Sequence, residues 1–294
     1  MSENSVPWLR FASLALILLT LTAPTLTQTE AKLNERTTTD VTEIVAAQGA
    51  SPNAPRLGID AYKKILADDP KNAIALNNLG SLYYAAARYD EALALIQQAA
   101  DERPDLWNIQ RNASVALAHN NDFAGGLKYA LAAFKLAPGE NSALDQLCEM
   151  YLAVKDGASA VPCYDGLSKR TRDVTDLLGY GEALVLVGDG ERAEAVLQDV
   201  VTASPRLAPA YNALGLAQFK QKEYKDAVDS FREAVSLMPD EAQYRYNMAI
   251  ADMATRNKTG ALSQYNLLKQ SDPKLANMLY KEMFADKIVV VGHQ

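Results

Sequence analysis

Side-chain amides recur along this sequence at a nearly constant spacing, and they are the residues best suited to binding a partner. Asn78, Asn112 and Gln146 lie 34 residues apart. An amide side chain donates and accepts hydrogen bonds at the same time, so a row with this spacing can bind the backbone of an extended peptide whatever its sequence. The alternative is a row of solvated polar residues that binds no ligand. The predicted binding residues are Asn77, Asn78, Arg111, Asn112, Gln146, Asn212 and Asn247.

Residues suited to catalysis or metal binding are sparse. The two histidines, His119 and His293, are far apart in sequence, and no zinc-protease, CxxC, phosphate-loop or dinucleotide-binding motif occurs. His119 is predicted to line the same face as the amides. The carboxyl groups predicted near that face belong to Asp145, Glu149 and Glu182, a set more typical of a solvated or cation-binding patch than of an acid and base pair. We therefore predict a protein that is not an enzyme and that binds no cofactor, metal ion or small-molecule substrate.

The chain has two cysteines, Cys148 and Cys163. They fall on the two helices of one predicted hairpin, where the side chains can meet. A disulfide there would close about fifteen residues and stabilise the folded state by roughly 3 kcal/mol in the chain-entropy model. Disulfides are typical of exported proteins. Two buried, unbonded thiols are the alternative, and the spacing leaves both open.

A period of about 34 residues organises most of the chain. Prolines end helices because they lack a backbone N–H and clash with the preceding turn, so the recurring prolines indicate two helices in each period. Two antiparallel helices approach closely only where the residues at their crossing are small. A stack of such hairpins buries a continuous core that one hairpin cannot form alone. The first small set is Gly80, Ser114, Cys148, Gly181, Gly215 and Ala249, the second is Ala92, Gly126, Ala160, Ala193, Ala227 and Ala261, and the prolines are Pro104, Pro138, Pro205, Pro239 and Pro273.

The segments "LNNLGSLYYAAARYDEALALIQQAADERP" and "YNALGLAQFKQKEYKDAVDSFREAVSLMP" resemble the tetratricopeptide repeat, whose pattern is W-x2-L-G-x2-Y, then A-x3-F, then P. The resemblance implies an all-α fold, an α-α superhelix (solenoid) in which the first helix of each hairpin lines a concave groove. It also implies a scaffold that binds a peptide segment or a partner helix in that groove. The predicted segments are a half-repeat helix at 57–72, six repeats at 73–106, 107–140, 141–173, 174–207, 208–241 and 242–275, and a capping helix with a tail at 276–294.

The N-terminus has the pattern of an export signal. Arg10 precedes an apolar run over 11–23 that is too short to span a bilayer. Small residues follow it, as in a secretory signal peptide. We predict a signal peptide over 1–31, a flexible linker over 32–56, and an exported protein, periplasmic or secreted. An uncleaved membrane anchor over 11–23 is the alternative.

Composition and charge narrow the class of partner. The chain has 294 residues, of which 49% are hydrophobic, and a formal net charge of -7. A negative field repels phosphate groups, so nucleic acid is not predicted as a partner, and membrane contact is predicted only if the N-terminal segment is uncleaved. The predicted partner is a protein or peptide in an envelope or secretion-type assembly. A second interpretation is a structural subunit that self-associates through its caps or through the C-terminal "KIVVV", which has high strand propensity.

Overall fold

The computed structural model describes residues 58–284, and over this range the chain is all-α. The predicted signal peptide, the linker, the C-terminal tail and His293 lie outside the described residues. Contacts between helices divide the described range into two units, 58–171 with α1–α7 and 172–284 with α8–α14. The helices are α1 (Ile59–Asp68), α2 (Ala73–Ala85), α3 (Tyr89–Glu102), α4 (Trp107–His119), α5 (Phe123–Leu136), α6 (Asn141–Ala153), α7 (Gly157–Thr171), α8 (Val174–Val187), α9 (Gly190–Ala203), α10 (Ala208–Lys220), α11 (Tyr224–Leu237), α12 (Ala242–Ala254), α13 (Lys258–Ser271) and α14 (Pro273–Phe284).

Each unit is a series of helical hairpins. In unit 58–171 the hairpins are α2 with α3, α4 with α5 and α6 with α7, and α1 packs on α2. In unit 172–284 the hairpins are α8 with α9, α10 with α11 and α12 with α13, and α14 packs on α12 and α13. This confirms the predicted all-α fold of consecutive hairpins. Helix α14 begins at Pro273, three residues before the predicted start of the capping helix. No helix between 58 and 284 is both long enough and apolar enough to cross a bilayer.

The small residues lie where the two helices of a hairpin cross. A Cβ atom added at Gly80 would be 2.6 Å from Cγ1 of Ile96 and 3.1 Å from the carbonyl oxygen of Ala92. Packed carbon atoms are normally about 3.5–4.0 Å apart, so α2 and α3 can approach this closely only with glycine at position 80. At the equivalent positions in the next two hairpins, Ser114 and Cys148 are fully buried. The predicted role of the small residues as crossing points is confirmed.

The turn of each hairpin contains one residue in the left-handed backbone conformation, and the same hydrogen bond closes each turn. The N–H of Arg88, for example, donates to the carbonyl of Tyr83 at 2.9 Å, and the N–H of Asp122 donates to that of Leu117 at 3.0 Å. This bond satisfies a carbonyl that the end of a helix otherwise leaves free. At these hairpin turns the residues with positive φ, between 58° and 85°, are Ala87, Asn121, Lys155, Gly188, Lys222 and Arg256.

The last hairpin contains a buried carboxyl group. Asp252, near the end of α12, is 1% exposed. Its Oδ1 accepts a hydrogen bond of 2.8 Å from Nδ2 of Asn257, while its Oδ2 has no hydrogen-bond partner among the described residues. Burial raises the pKa of Asp252 above its usual value, against the opposing effects of the bond from Asn257 and the charge of Arg232. A side chain at position 260 would collide with this carboxyl group, so Gly260 makes room for it.

We expect Asp252→Asn to stabilise the protein at neutral pH. A carboxyl group whose pKa is raised on folding contributes its stability below the unfolded pKa and loses it as the pH rises through the folded pKa. At neutral pH the wild type therefore bears the cost of a buried charge, whereas asparagine is neutral and still accepts the bond from Asn257. Melting temperatures should be higher for the variant at neutral pH, with a difference that shrinks in acid.

Asp240 provides the matched control, because it is an exposed aspartate in the same unit. Asp240→Asn should give no gain that depends on pH in this way. A variant at Asp252 that is less stable than the wild type at neutral pH, or a gain that persists unchanged in acid, would contradict the prediction.

Candidate functional site

Polar residues on α1, α2 and α4 form one hydrogen-bonded chain across these three helices. Nη1 of Arg111 on α4 donates to Oδ1 of Asn112 at 3.5 Å, and Nδ2 of Asn112 donates to Oδ1 of Asn77 on α2 at 2.9 Å. Nδ2 of Asn77 donates to Oδ1 of Asn78 at 3.2 Å, and Nδ2 of Asn78 donates to the hydroxyl oxygen of Tyr62 on α1 at 3.1 Å. These five residues are called the amide chain below. The bond between Asn112 and Asn77 links the first helices of successive hairpins.

The amide chain explains why asparagine is tolerated inside these helices. Asparagine is a poor helix former because its side chain competes for backbone hydrogen bonds. In α2 and α4 the side chains of Asn77, Asn78 and Asn112 bond to one another instead, so this competition is removed. Helix α2 begins independently of them, with Oδ1 of Asn72 accepting from the N–H of Ala75 at 3.0 Å.

The members of the amide chain differ in exposure. Asn77 is 0% exposed and Arg111 is 7% exposed, whereas Asn78 and Asn112 are half-buried. A fully buried amide that already bonds to two neighbours cannot also reach a ligand. The structure therefore corrects the sequence expectation that all of these side chains line an open groove: Asn78 and Asn112 are the members with an accessible side.

The other predicted amides are also buried and bonded within the protein. Gln146, Asn212 and Asn247 are 5%, 4% and 0% exposed. Nε2 of Gln146 donates to Oγ of Ser114 at 3.2 Å; Nδ2 of Asn247 donates to Oδ1 of Asn212 at 2.8 Å and its Oδ1 accepts from Nε2 of Gln243 at 3.0 Å. Neighbouring first helices lie close enough for these groups to satisfy one another, as buried polar groups must. For this reason these three amides do not line the open groove that the sequence had predicted.

Three partners in these bonds were not predicted from the sequence. Gln243 had a usable signal, because it lies four residues before Asn247 and therefore on the same helix face. Ser114 was assigned to the small-residue set, although its hydroxyl also accepts a hydrogen bond. Tyr62 had no signal, because it lies on α1, outside the row of first helices.

Asn78 and Asn112 keep hydrogen-bonding capacity beyond the amide chain. A side-chain amide has two N–H groups and an oxygen with two lone pairs. Within the amide chain, each of these residues uses one N–H and one lone pair. The remaining N–H suits a peptide carbonyl, and the remaining lone pair suits a peptide N–H.

A shallow pocket of about 360 Å³ lies beside His119, between the turns of the first two hairpins. Its wall includes Arg88, which pairs with Glu91, and the ring of Tyr89. The rings of His119 and Tyr89 have centroids 3.6 Å apart, and Nδ1 of His119 lies 3.4 Å from the hydroxyl oxygen of Tyr84. His119 thus packs against two tyrosines.

The carboxyl groups considered for acid and base chemistry do not lie in one unit. Asp145, which is 5% exposed, and the half-buried Glu149 are one turn apart on α6, whereas Glu182 lies on α8 in the other unit. Between residues 58 and 284 there is no group of three or more His, Cys, Asp or Glu side chains that could hold a metal ion.

A disulfide joins Cys148 on α6 to Cys163 on α7, with the Cα atoms 5.4 Å apart. It crosslinks the α6–α7 hairpin at the position where the other hairpins have a glycine, serine or alanine. Helix α7 also contains Pro162 and ends at Thr171 without the terminal proline of the other repeats. The crosslink therefore lies in the hairpin whose sequence departs most from the repeat.

Comparison with known families identifies the repeats. The family described as "Tetratricopeptide repeat" matches residues 48–113 and again residues 208–241. These two segments match the tetratricopeptide repeat. The second match contains the whole of hairpin α10–α11. Tetratricopeptide repeats are generally non-catalytic scaffolds for protein–protein interaction.

Curated relatives of this chain are much longer proteins. It is 25% identical over 185 residues to the putative cellulose synthase operon protein C of Escherichia coli O157:H7. It is 26% identical over 220 residues to superkiller complex protein 3 of Mus musculus. The alignments cover 62% and 69% of this chain but only 15% and 14% of those proteins. The chain thus spans about 15% of the length of these relatives.

Several solved structures share the fold. A repeat protein from Parabacteroides merdae matches with a TM-score of 0.62 at 15% identity, covering 85% of this chain and 98% of that one. PilW, described as a widely conserved type IV pilus biogenesis factor, matches with a TM-score of 0.62 at 17% identity, covering 71% and 98%. YrrB, described as a protein with an unusual peptide-binding site, matches with a TM-score of 0.53 at 15% identity, covering 64% and 97%. At these identities the similarity shows the fold alone.

Proposed function

We propose that this chain is a non-catalytic scaffold that binds an extended peptide segment of a partner protein through Asn78 and Asn112. The observation that carries the proposal is the amide chain, in which Asn78 and Asn112 are half-buried and each keeps one N–H and one lone pair that the amide chain does not use. An extended segment fits this site better than a helix, because a helix already satisfies its own backbone groups. The description of YrrB as peptide-binding supports the proposal by analogy of fold.

The proposed setting is an assembly outside the cytoplasm. The basic residue and short apolar run at the N-terminus favour export. Two of the similar proteins carry names that refer to cellulose synthesis and to pilus biogenesis, and both names fit an envelope setting. The alternative within this setting is a chain that stays attached to the membrane through 11–23.

We expect the mature protein to begin near Lys32. Export with cleavage removes the apolar run, so the intact mass of protein recovered from the periplasm or medium should correspond to a chain that starts at or near this residue. The same measurement on a variant with Leu16→Arg, which interrupts the apolar run, should find the full chain in the cytoplasm. Wild-type protein recovered there with its N-terminus intact would contradict export.

Peptide binding should depend on Asn78 and Asn112 together. Peptides selected from a displayed random decapeptide library on the folded protein provide the probe. Each neutral hydrogen bond contributes about 0.5–1.5 kcal/mol net, so the double replacement by alanine should weaken binding by roughly fivefold to a hundredfold, as measured by calorimetry. Each single replacement should have a smaller effect. The repeat spacing would add Asn247 to these two residues. Asn247 is fully buried, so it is not replaced in this experiment.

The control replaces two exposed asparagines of other helices, Asn266 and Asn277, by alanine. This variant should bind the selected peptides as the wild type does. Circular dichroism must show equal helix content in both variants, because the changes at positions 78 and 112 also leave part of the buried Asn77 amide unpaired. Equal affinity of the wild type and the double variant, or a library from which no peptide is enriched, would reject the peptide-binding proposal.

Self-association is the second candidate, and an exposed aromatic group on α14 favours it. Tyr280 is 48% exposed, and its ring centroid lies 4.7 Å from that of Phe284 and 5.9 Å from that of Tyr265. The exposed Lys274 and Lys281 on the same helix are instead typical of a polar cap that protects the last repeat from water. Sedimentation of the wild type and of a chain lacking 287–294 distinguishes self-association from a polar cap. An oligomer that the deletion dissociates would favour self-association, and a monomeric wild type would favour the polar cap.

A further inference from the structure

Every hydrogen bond of the amide chain runs in the same direction. Starting at Arg111, each member donates to the next: Arg111 to Asn112, Asn112 to Asn77, Asn77 to Asn78, and Asn78 to Tyr62. An amide side chain can be turned over to exchange its oxygen and nitrogen. If all three asparagines turned over, the two bonds among them and the bond to Tyr62 would re-form in the opposite direction.

The two ends of the amide chain are not equivalent. The hydroxyl group of Tyr62 can donate as well as accept, so it fits either direction. The guanidinium group of Arg111 can only donate. In the reversed direction, Nδ2 of Asn112 would face Nη1 of Arg111, and two donors would stand about 3.5 Å apart, the separation now found between Nη1 and Oδ1. Arg111 is 7% exposed, so water relieves this conflict poorly.

We propose that Arg111 is the positioning residue of the groove: it sets the direction of the amide chain and thereby fixes which atoms Asn78 and Asn112 present to a bound segment. This inference rests on the proposed function, because it concerns the same two amides. Arg111 itself is too buried to be a main contact of the ligand. It acts through Asn112 and Asn77, and the fixed order of donors and acceptors along the groove favours one of the two directions in which an extended peptide can lie.

The direction of the amide chain can be measured without any ligand. Asparagine labelled with ¹⁵N in the side chain reports each N–H by nuclear magnetic resonance in the full chain. In the wild type, Asn77, Asn78 and Asn112 should each give one pair of N–H signals, with one proton of each pair slow to exchange with solvent. Arg111→Met removes the donor but keeps an unbranched side chain, and it should broaden or double the signals of Asn112 and Asn77. Arg111→Lys keeps a donor and should retain a single set.

Tyr62→Phe tests the opposite end with a smaller risk of unfolding. If Arg111 sets the direction, loss of the Tyr62 hydroxyl should alter the signals of Asn78 and leave those of Asn77 and Asn112 single. Doubled signals at Asn77 and Asn112 in this variant, or unchanged signals in Arg111→Met, would overturn the assignment. Arg245→Met is the matched control, because Arg245 donates to the carbonyl of Pro239 in the other unit; it should leave all three asparagines unaffected.

Peptide affinity separates this inference from the proposed function. With the selected decapeptides, Arg111→Met should weaken binding several-fold and Arg111→Lys should restore most of it. Doubled asparagine signals with a loss of affinity support both statements. A second outcome is that Arg111→Met doubles the asparagine signals but the Asn78 and Asn112 double variant still binds the decapeptides as the wild type does. That outcome would reject the proposed function, while the role of Arg111 in the amide chain would stand.

Discussion

Replacing Gly215 by leucine should lower the free energy of unfolding by about 1–3 kcal/mol or more, the usual range for an overpacked core. Gly215 lies where α10 crosses α11. A Cβ atom there would be 2.7 Å from Cε1 and 2.8 Å from Cδ1 of Phe231, whose side chain is 0% exposed. Because the ring is enclosed on all sides, the two helices must separate to admit a larger residue. Denaturant unfolding followed by circular dichroism measures the loss.

Gly166 provides the matched control for this substitution. It also lies within a helix, α7, but a Cβ atom at this position would meet no atom within 4 Å. Leucine favours a helix over glycine by up to about 1 kcal/mol, so Gly166→Leu should leave the stability unchanged or raise it. Equal losses at both positions would show that the helix crossing is not the cause, and an unchanged stability at position 215 would contradict the crossing itself.

Replacing Cys148 and Cys163 together by alanine should lower the free energy of unfolding by roughly 3 kcal/mol. The disulfide closes a loop with a sequence separation of 15, and the chain-entropy model assigns about this value to a loop of that length, because the crosslink restricts the unfolded chain. Cys148 is fully buried, so the alanine also leaves a small cavity, which adds to the loss.

A reducing agent separates the crosslink from the cavity. Reduction of the wild type should reproduce most of the loss, whereas the double variant should not respond to the reagent at all. Unfolding curves that coincide for the oxidised wild type, the reduced wild type and the double variant would mean that the disulfide does not contribute to stability.

The hairpin architecture could be predicted because its cause is local and repeated. Gly80 and Gly215 recur in phase with alanines and prolines, and each residue type has one strong physical effect: small residues permit a close helix crossing, and prolines end a helix. A departure at one position, such as the missing proline near Thr171, does not hide the repeat, because the other positions still recur.

The binding site could be predicted only in part. Helical periodicity places a residue on a face of its helix, but it does not state how close the next helix lies on that face. Asn112 and Asn77 are 35 positions apart, and the packing of α4 against α2 brings their side chains to 2.9 Å. This contact converts Asn77 from a groove residue into a buried link and leaves Asn112 with one free side.

The sequence by itself determined the repeat length, the order of the helices, the small residues at their crossings and the set of residues from which a groove could be built. These properties follow from residue type and spacing along one chain. Only the tertiary structure decided which amides stay accessible, that Cys148 and Cys163 are bonded, and that Arg111 stands at the donor end of the amide chain. The bond from Asn112 to Asn77 and the bond between the cysteines join side chains of different helices, and such distances are set by how the helices pack.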